Sequence, residues 1–519
     1  MYEWIFIVGI IGTFYNAWGG GANDCANSFA TSVGSKVLTL KQALIIASIF
    51  EFGGAVLMGS HVTDTVRKKI VAISLFNNNP GALMLGMLCA NLSSAIWLTV
   101  ATYLKWPVST THSIIGAIVG FSMAYGGTDA IVWDKIGYIA LSWIISPLCA
   151  GFLSFILFNI IKKVIFESKN PFRNTQKIFP ILTFFTFFIN SLFIIYKGSP
   201  QLDIDEMEPW KSVLISLGIG SFTSLIAWKI YLPNAIKRVN KLFDTNQDSS
   251  GQELCDLGDR TKSYRIALDG ATIEESFTDE NSQNITINND ETQENISFVY
   301  DKNLSINENI NQSKELVNRL KSKRNKDNVN ELHSNAYSVD PKSDKLCSWL
   351  QIFTSCFSSF AHGSNDVANA VAPLATIYSI YQTDNVSTTS DIPIWILLLG
   401  GAGIVFGLAT WGYKIINRIG EDLTKVSPSR GFIIELSAAT TIIIASQSEM
   451  PVSTTHCQVG SIVGCGLTSG KKNVKWSILK GILFSWLITL PVSGLLSAAL
   501  FSYGYYSPNE LTLLNSTIS

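Results

Sequence analysis

Two short polar strings each occur twice in this chain. Gly21-Ala22-Asn23-Asp24-Cys25-Ala26-Asn27-Ser28 returns as Gly363-Ser364-Asn365-Asp366-Val367-Ala368-Asn369-Ala370, and Pro107-Val108-Ser109-Thr110-Thr111-His112 returns unchanged as Pro451-Val452-Ser453-Thr454-Thr455-His456. In the first string Asn23 and Asn27 are spaced i,i+4 and Asp24 and Asn27 i,i+3, so a helix sets carboxamides and carboxylate on one side; Asn365, Asp366 and Asn369 repeat the spacing. The glycines before them, Gly19-Gly20-Gly21 and Gly363, let the backbone break and offer carbonyl oxygens. Carboxylate, amide and carbonyl oxygens together form a hard cage that suits a small cation such as Na⁺ better than a transition metal. The plainer alternative, in which Asp and Asn merely cap a buried half-helix, is weakened by the duplication.

In the second string the proline suits the first turn of a helix, where unpaired backbone N–H groups and the positive end of the dipole point outward. Ser109, Thr110 and Thr111, with Ser453, Thr454 and Thr455, stand where they could hydrogen-bond several oxygens of a tetrahedral oxyanion. Asn23 and Asn365 are assigned with these hydroxyls to the anion; Asn27 and Asn369 are assigned with Asp24 and Asp366 to the cation. Behind each string a small-residue spacing, Gly116-x-x-x-Gly120 and Gly460-x-x-x-Gly464, permits close helix packing. His112 and His456 are either structural hydrogen-bonded histidines or proton-sensitive contacts to substrate. Glu51, Glu435 and His362 sit in apolar surroundings without a basic neighbour in sequence, and are expected to act in coupling or gating. By repeat register Glu435 aligns with Asn91, and His362 with Gly20, so the two halves are not identical.

Such clusters need elements that hold them at membrane depth. Apolar runs near 4–22, 42–60, 82–104, 137–161, 178–196 and 210–232, then 349–361, 393–416, 431–446 and 476–503, are of about the length that crosses ~30 Å of hydrocarbon. The motif regions 23–35, 364–378, 107–124 and 451–467 are shorter and interrupted, and are expected as half-helices or re-entrant hairpins lining the site. The reading is an all-α integral membrane protein of about ten to twelve segments, with two related halves, 1–243 and 346–519. A twice-repeated polar island in such a chain points to a substrate site between the halves.

The 519 residues are 47% hydrophobic and 15% charged, with a net charge of −1, which leaves no basic surface for nucleic acid. Eight cysteines without CxxC spacing read as small hydrophobes rather than as a disulfide or metal framework. The stretch 244–345 is rich in Asn, Ser, Asp, Glu and Lys and reads as a disordered linker, with basic flanks that place it in the cytoplasm. An intramembrane hydrolase using Ser109, His112 and Asp24 would have no reason to duplicate the whole set, and no nucleotide-binding loop supports a pump. No enzyme activity and no cofactor are therefore expected.

At these residues the chain resembles the inorganic phosphate transporter (PiT) family, whose animal members are type III sodium–phosphate cotransporters. The resemblance rests on Gly-Ala-Asn-Asp-x-Ala-Asn with its second copy, on Lys41-Gln42-Ala43 leading into Ala47-Ser48-Ile49-Phe50-Glu51, and on Pro451–Gly460. It implies inverted-topology halves, an extracellular N-terminus, and import of phosphate with sodium by alternating access; protons, or sulfate as cargo, are the alternatives. It further implies cation coupling at Asp24 and Asp366, substrate contact at Ser109, Thr110, Ser453 and Thr454, and transport roles for Glu51, Glu435 and His362. The expected setting is the plasma membrane, and a homodimer is compatible with the sequence.

Overall fold

The computed structural model describes residues 3–68, 70–197, 207–249, 272–277, 282–288, 295–301, 337–386, 392–420, 423–447 and 450–518. In the first half α1 (Glu3–Gly20) runs through a π-helical turn, Gly21–Cys25, into α2 (Ala26–Gly34). It is followed by α3 (Leu40–Lys68), α4 (Pro80–Tyr103), α5 (Thr110–Gly126), α6 (Trp133–Ile161), α7 (Pro171–Lys197), α8 (Pro209–Ile226) and α9 (Leu232–Ser249). The second half holds α10 (Pro341–Thr383), α11 (Ile394–Trp411), α12 (Tyr413–Gly420), α13 (Pro428–Gln447), α14 (Thr454–Leu467) and α15 (Trp476–Ile518).

Among the described residues eight helical stretches are long and apolar enough to cross a bilayer, from Glu3–Gly34 to Trp476–Ser507. The chain is a multi-pass membrane protein. Two more helices, α10 with 43 residues and α13 with 20, are also long enough to cross but carry the polar side chains of the site. Sequence-encoded caps set several starts. Asn79 accepts from Ala82 N ahead of Pro80, and Asp340 accepts from Ser343 N ahead of Pro341.

One expectation about the motif segments is corrected. Neither Asn-Asp copy lies on a half-helix: the first passes through the π turn of a continuous helix, and the second sits in the middle of α10. The glycines serve closeness instead of breakage. A Cβ on Gly363 would lie 2.1 Å from the Glu51 carbonyl oxygen and one on Gly54 2.1 Å from that of Phe360, so α3 and α10 cross backbone to backbone. Gly21 and Gly407 do the same for the first copy, with Cβ positions 1.8 Å from Ile404 O and 1.9 Å from Trp18 O. The Pro-Val-Ser-Thr-Thr-His copies do open short helices, α5 and α14.

The small-residue spacings pack across the halves. Gly116 and Gly120 abut Leu490 and Gly494 of α15, and Gly460 and Gly464 abut Pro147 and Gly151 of α6, at Cβ-to-carbonyl distances of 2.0–2.4 Å. Each half thus supplies the long helix that supports the other half's motif helix.

Residues 242–334 form a separate unit from the one comprising 1–241 and 335–519. Within it β1 (Thr272–Phe277), β2 (Ser282–Asn288) and β3 (Asn295–Asp301) form an antiparallel sheet in that order. The sequence reading expects no order here, because its composition averages out short runs such as Ile285-Thr286-Ile287 and Ile296-Ser297-Phe298-Val299-Tyr300, whose residue types favour strands. The basic run within 314–326 lies outside the described residues.

Candidate functional site

Ser109 and Ser453 end their extended approach segments as N-caps, accepting from His112 N at 3.3 Å and His456 N at 3.2 Å. That leaves the threonines after them to face the carboxylates. Thr110 Oγ1 donates to Asp24 Oδ2 at 2.8 Å, with the Thr110 amide at 3.2 Å, and Thr454 Oγ1 donates to Asp366 Oδ2 at 2.9 Å. Each half therefore pairs its own Thr with its own Asp. Each also reaches across: Thr455 Oγ1 donates to Asp24 Oδ1, and Thr110 Oγ1 lies 3.3 Å from Asp366 Oδ2. The two strings cross-link reciprocally as well, Thr111 Oγ1 to Val452 O and Thr455 Oγ1 to Val108 O, both at 3.4 Å.

The asparagines divide between two tasks. Asn369 Nδ2 donates to Thr110 Oγ1 at 3.0 Å and Thr111 Oγ1 at 3.1 Å, inside the cluster. Asn23 is committed to the approach segment, donating to Thr102 Oγ1 and Trp106 O and accepting from Val108 N, all at 2.9 Å. Asn365 donates to Asp366 Oδ1 at 2.8 Å and to Val452 O at 3.2 Å. Asn23 and Asn365 thus tether the strings, an arrangement that differs from the anion contact expected of them. The Asn27 side chain lies outside the described residues.

His362 joins the carboxylate pair to a third acid. Its Nε2 is 2.9 Å from Asp366 Oδ2, while its Nδ1 meets Glu51 Oε1, and Ser359 Oγ donates to Glu51 Oε2 at 2.8 Å. Asp24, His362 and Asp366 each present a ligating atom within 4.8 Å of the others, and all three are buried. Glu435, on α13, stands apart: its partners Thr354 and Ser355 lie about three turns, roughly 16–18 Å, along α10 from Asp366. It accepts from Thr31, from Ser32 at 2.7 Å, and from Thr354 and Ser355 at 2.8 Å, with Gln351 Nε2 at 3.5 Å. Its register mate Asn91 makes the matching contact in the first half, donating to Thr13 Oγ1 at 2.7 Å, and accepts from Asn16 at 2.6 Å. Thr13, Thr31, Ser32, Gln351, Thr354 and Ser355 escaped the sequence reading, since hydroxyls on apolar helices usually bond their own backbone.

The His112 and His456 rings pack against each other at a 39° tilt with centroids 4.6 Å apart; Trp143 flanks His112 at 3.7 Å, Trp486 stacks on His456 at 3.6 Å, and His456 Nδ1 lies 3.0 Å from Trp143 O.

Separating cap from contact gives a direct test of these hydroxyls. If the Thr110 and Thr454 hydroxyls donate to the charged anion as the sequence leads one to expect, Thr110→Ala and Thr454→Ala each remove a bond worth roughly 1.5–3 kcal/mol, so apparent substrate affinity is expected to fall about ten-fold or more at unchanged abundance. Ser109→Ala and Ser453→Ala are expected to cost about 1 kcal/mol of stability instead. Binding isotherms set beside melting curves for the four variants distinguish the two outcomes.

A family model described as the phosphate transporter family matches residues 20–497. The chain is 32% identical to sodium-dependent phosphate transporter 1 of Rattus norvegicus, with 96% of this chain and 95% of that protein covered. It is likewise 32% identical to the protein of that name from Homo sapiens, with 97% and 96% covered. A solved structure described as the sodium-dependent phosphate transporter superimposes with a TM-score of 0.71 at 29% identity, covering 96% of this chain and 98% of that one.

Proposed function

The chain belongs to the phosphate transporter family, and from this premise we propose that it imports inorganic phosphate together with sodium by alternating access around the Asp24–Asp366 centre. The convergence of two carboxylates and their threonine hydroxyls from both halves carries this reading. Two like charges within 4.8 Å of one another repel by roughly 3–4 kcal/mol at an effective dielectric near 20. An anion brought beside them adds to that repulsion, and neither motif supplies a Lys or Arg. A cation must enter with it. The oxygen ligands of Asp24, Asp366 and the threonines suit sodium, and the N-termini of α5 and α14, with their hydroxyls, suit the phosphate oxygens.

The reciprocal contacts between the strings support two repeats of inverted topology, with the motif helices moving against the centre as access alternates. Glu51 and His362 form the path by which the state of Asp366 is felt at the α3–α10 crossing. A proton-coupled reading is favoured by one observation, the titratable chain Glu51–His362–Asp366.

Uptake of radiolabelled phosphate into proteoliposomes tests the substrate. Arsenate, a tetrahedral isostere, is expected to compete and sulfate to compete weakly; sulfate transport equal to that of phosphate would overturn the assignment. Deleting residues 252–309, which fall wholly within the separate unit, is expected to leave uptake within about two-fold of the full chain. Loss of uptake by a variant that still reaches the membrane would make that unit part of the transport machinery.

A further inference from the structure

The helices α7 and α8 form an antiparallel hairpin. Ser224 Oγ donates to Pro180 O at 2.7 Å, and a Cβ on Gly220 would lie 3.1 Å from the Phe184 carbonyl oxygen. Beside these contacts a groove of about 360 Å³ runs between the two helices, lined by Ile181, Phe184, Ser221, Leu225 and Trp228 among others. Ile181, Leu225 and Trp228 are each just over half exposed, so the groove opens on the hydrocarbon that covers this surface in a membrane. From Ser221 to Trp228 it extends about 10 Å, roughly a third of the hydrocarbon thickness. That length seats the upper part of one acyl chain.

The groove ends among cations. Lys229 Nζ lies 4.2 Å from the centroid of the Trp228 ring, at the rim. On α7 Lys177 and Arg173 precede Ile181 by four and eight residues, so they share the face that carries Ile181 and Phe184, and both are exposed. The contact of Ser224 with Pro180 sets Lys177 about level with Trp228 and Arg173 about one turn beyond. Among the described residues none of these three cations pairs with a carboxylate, whereas at the opposite end of the hairpin Lys211 is paired with Glu208 at 3.0 Å. The occupant must therefore offer an apolar chain to the groove and negative charge to one end of it. Inorganic phosphate lacks the chain, and a zwitterionic head group brings a further cation beside three. An anionic phospholipid supplies both parts, and cations next to the bilayer attract such lipids. Trp228 stands between them at the level that suits an interfacial ring.

We propose that this groove binds an anionic phospholipid from the leaflet on the side where α8 runs on into α9, with its phosphate between Lys177 and Lys229 and one acyl chain against Ile181, Phe184 and Leu225. Arg173 supplies charge for a head group that carries more than one negative charge. None of these residues belongs to the Asp24–Asp366 centre, so the inference stands whatever that centre carries.

The test uses the full chain in phosphatidylcholine nanodiscs with a trace of clickable phosphatidic acid that bears a photoreactive acyl chain, and cross-linked peptides are mapped. Labelling is expected within 178–188 or 218–231 and to be competed by unlabelled phosphatidic acid. Lys177→Gln and Lys229→Gln are each expected to lower labelling about five-fold. Leu225→Trp, an exposed change that fills the groove, is expected to lower it as well. Lys211→Gln, at the neutralised end of the hairpin, is expected to label as the native chain does. Equal labelling of the same peptides by a photoreactive phosphatidylcholine, or labelling that both lysine variants leave unchanged, overturns the proposal. So does competition by inorganic phosphate as effective as that by the lipid, or cross-linking of these peptides to a second copy of the chain.

Discussion

Replacing Asp24 or Asp366 with Asn is expected to remove the stimulation of phosphate binding by sodium. The carboxylates sit within 4.8 Å of each other and of His362, buried on all sides, and gather hydroxyls from both motif helices. On the proposed function, each sodium bound here offsets a negative charge that would otherwise repel phosphate. The two ligands therefore assist one another, and reciprocity requires that phosphate tighten sodium binding by the same factor. A coupling of about 1–3 kcal/mol corresponds to a roughly 5- to 150-fold rise in phosphate affinity with saturating sodium. In Asp24→Asn and Asp366→Asn the factor is expected to approach one, and the dependence of uptake on sodium to lose its sigmoidal form. Titration calorimetry with and without sodium measures the factor directly. Retention of the full factor in both variants would remove these carboxylates from cation binding.

The second large effect is steric. Gly54→Ala and Gly363→Ala each place a methyl carbon 2.1 Å from a carbonyl oxygen of the opposing helix, where ordinary contact begins near 3.4 Å. A backbone carbonyl cannot swing aside as a side chain can, so α3 and α10 must separate by about 1 Å or more. Overpacking of this kind costs about 1–3 kcal/mol, sometimes more. The same separation pulls Glu51 from His362, so transport is expected to fall further than abundance. Gly53→Ala is the control, because nothing lies within 4 Å of its Cβ position, and it is expected to behave as the native chain. Melting temperatures and uptake for the three variants would refute the account if Gly53→Ala and Gly363→Ala proved equally mild.

Much of the site was legible in the sequence because chemistry that is costly in a membrane stands out. Asp24, Asp366 and the threonines stand out by their types and their duplication, and the structure brings their side chains together. Glu51 and His362, more than three hundred residues apart, could be listed as isolated polar groups, but their pairing depends on a helix crossing that no local pattern encodes. Glycine misled for a physical reason. In Gly363-Ser364-Asn365-Asp366 it reads as a breaker, yet in α10 it stays helical and admits a neighbouring backbone. Ser109 and Ser453 read as equal to the threonines after them, and only the backbone geometry of Ser109 and Ser453 shows them to be caps. The hydroxyl shell of Glu435 was hidden because serine and threonine are common on membrane helices and carry little signal one at a time.

The central claim is that phosphate and sodium share one centre built from both halves. Initial rates of phosphate uptake into proteoliposomes, in sodium and in choline medium at neutral and acid pH, test it most directly. The account predicts uptake that requires sodium at both pH values and is lost in Asp24→Asn and Asp366→Asn. Full uptake in choline, rising with acidity and unchanged by either substitution, would contradict it and move the coupling to protons carried by Glu51, Glu435 or the histidines.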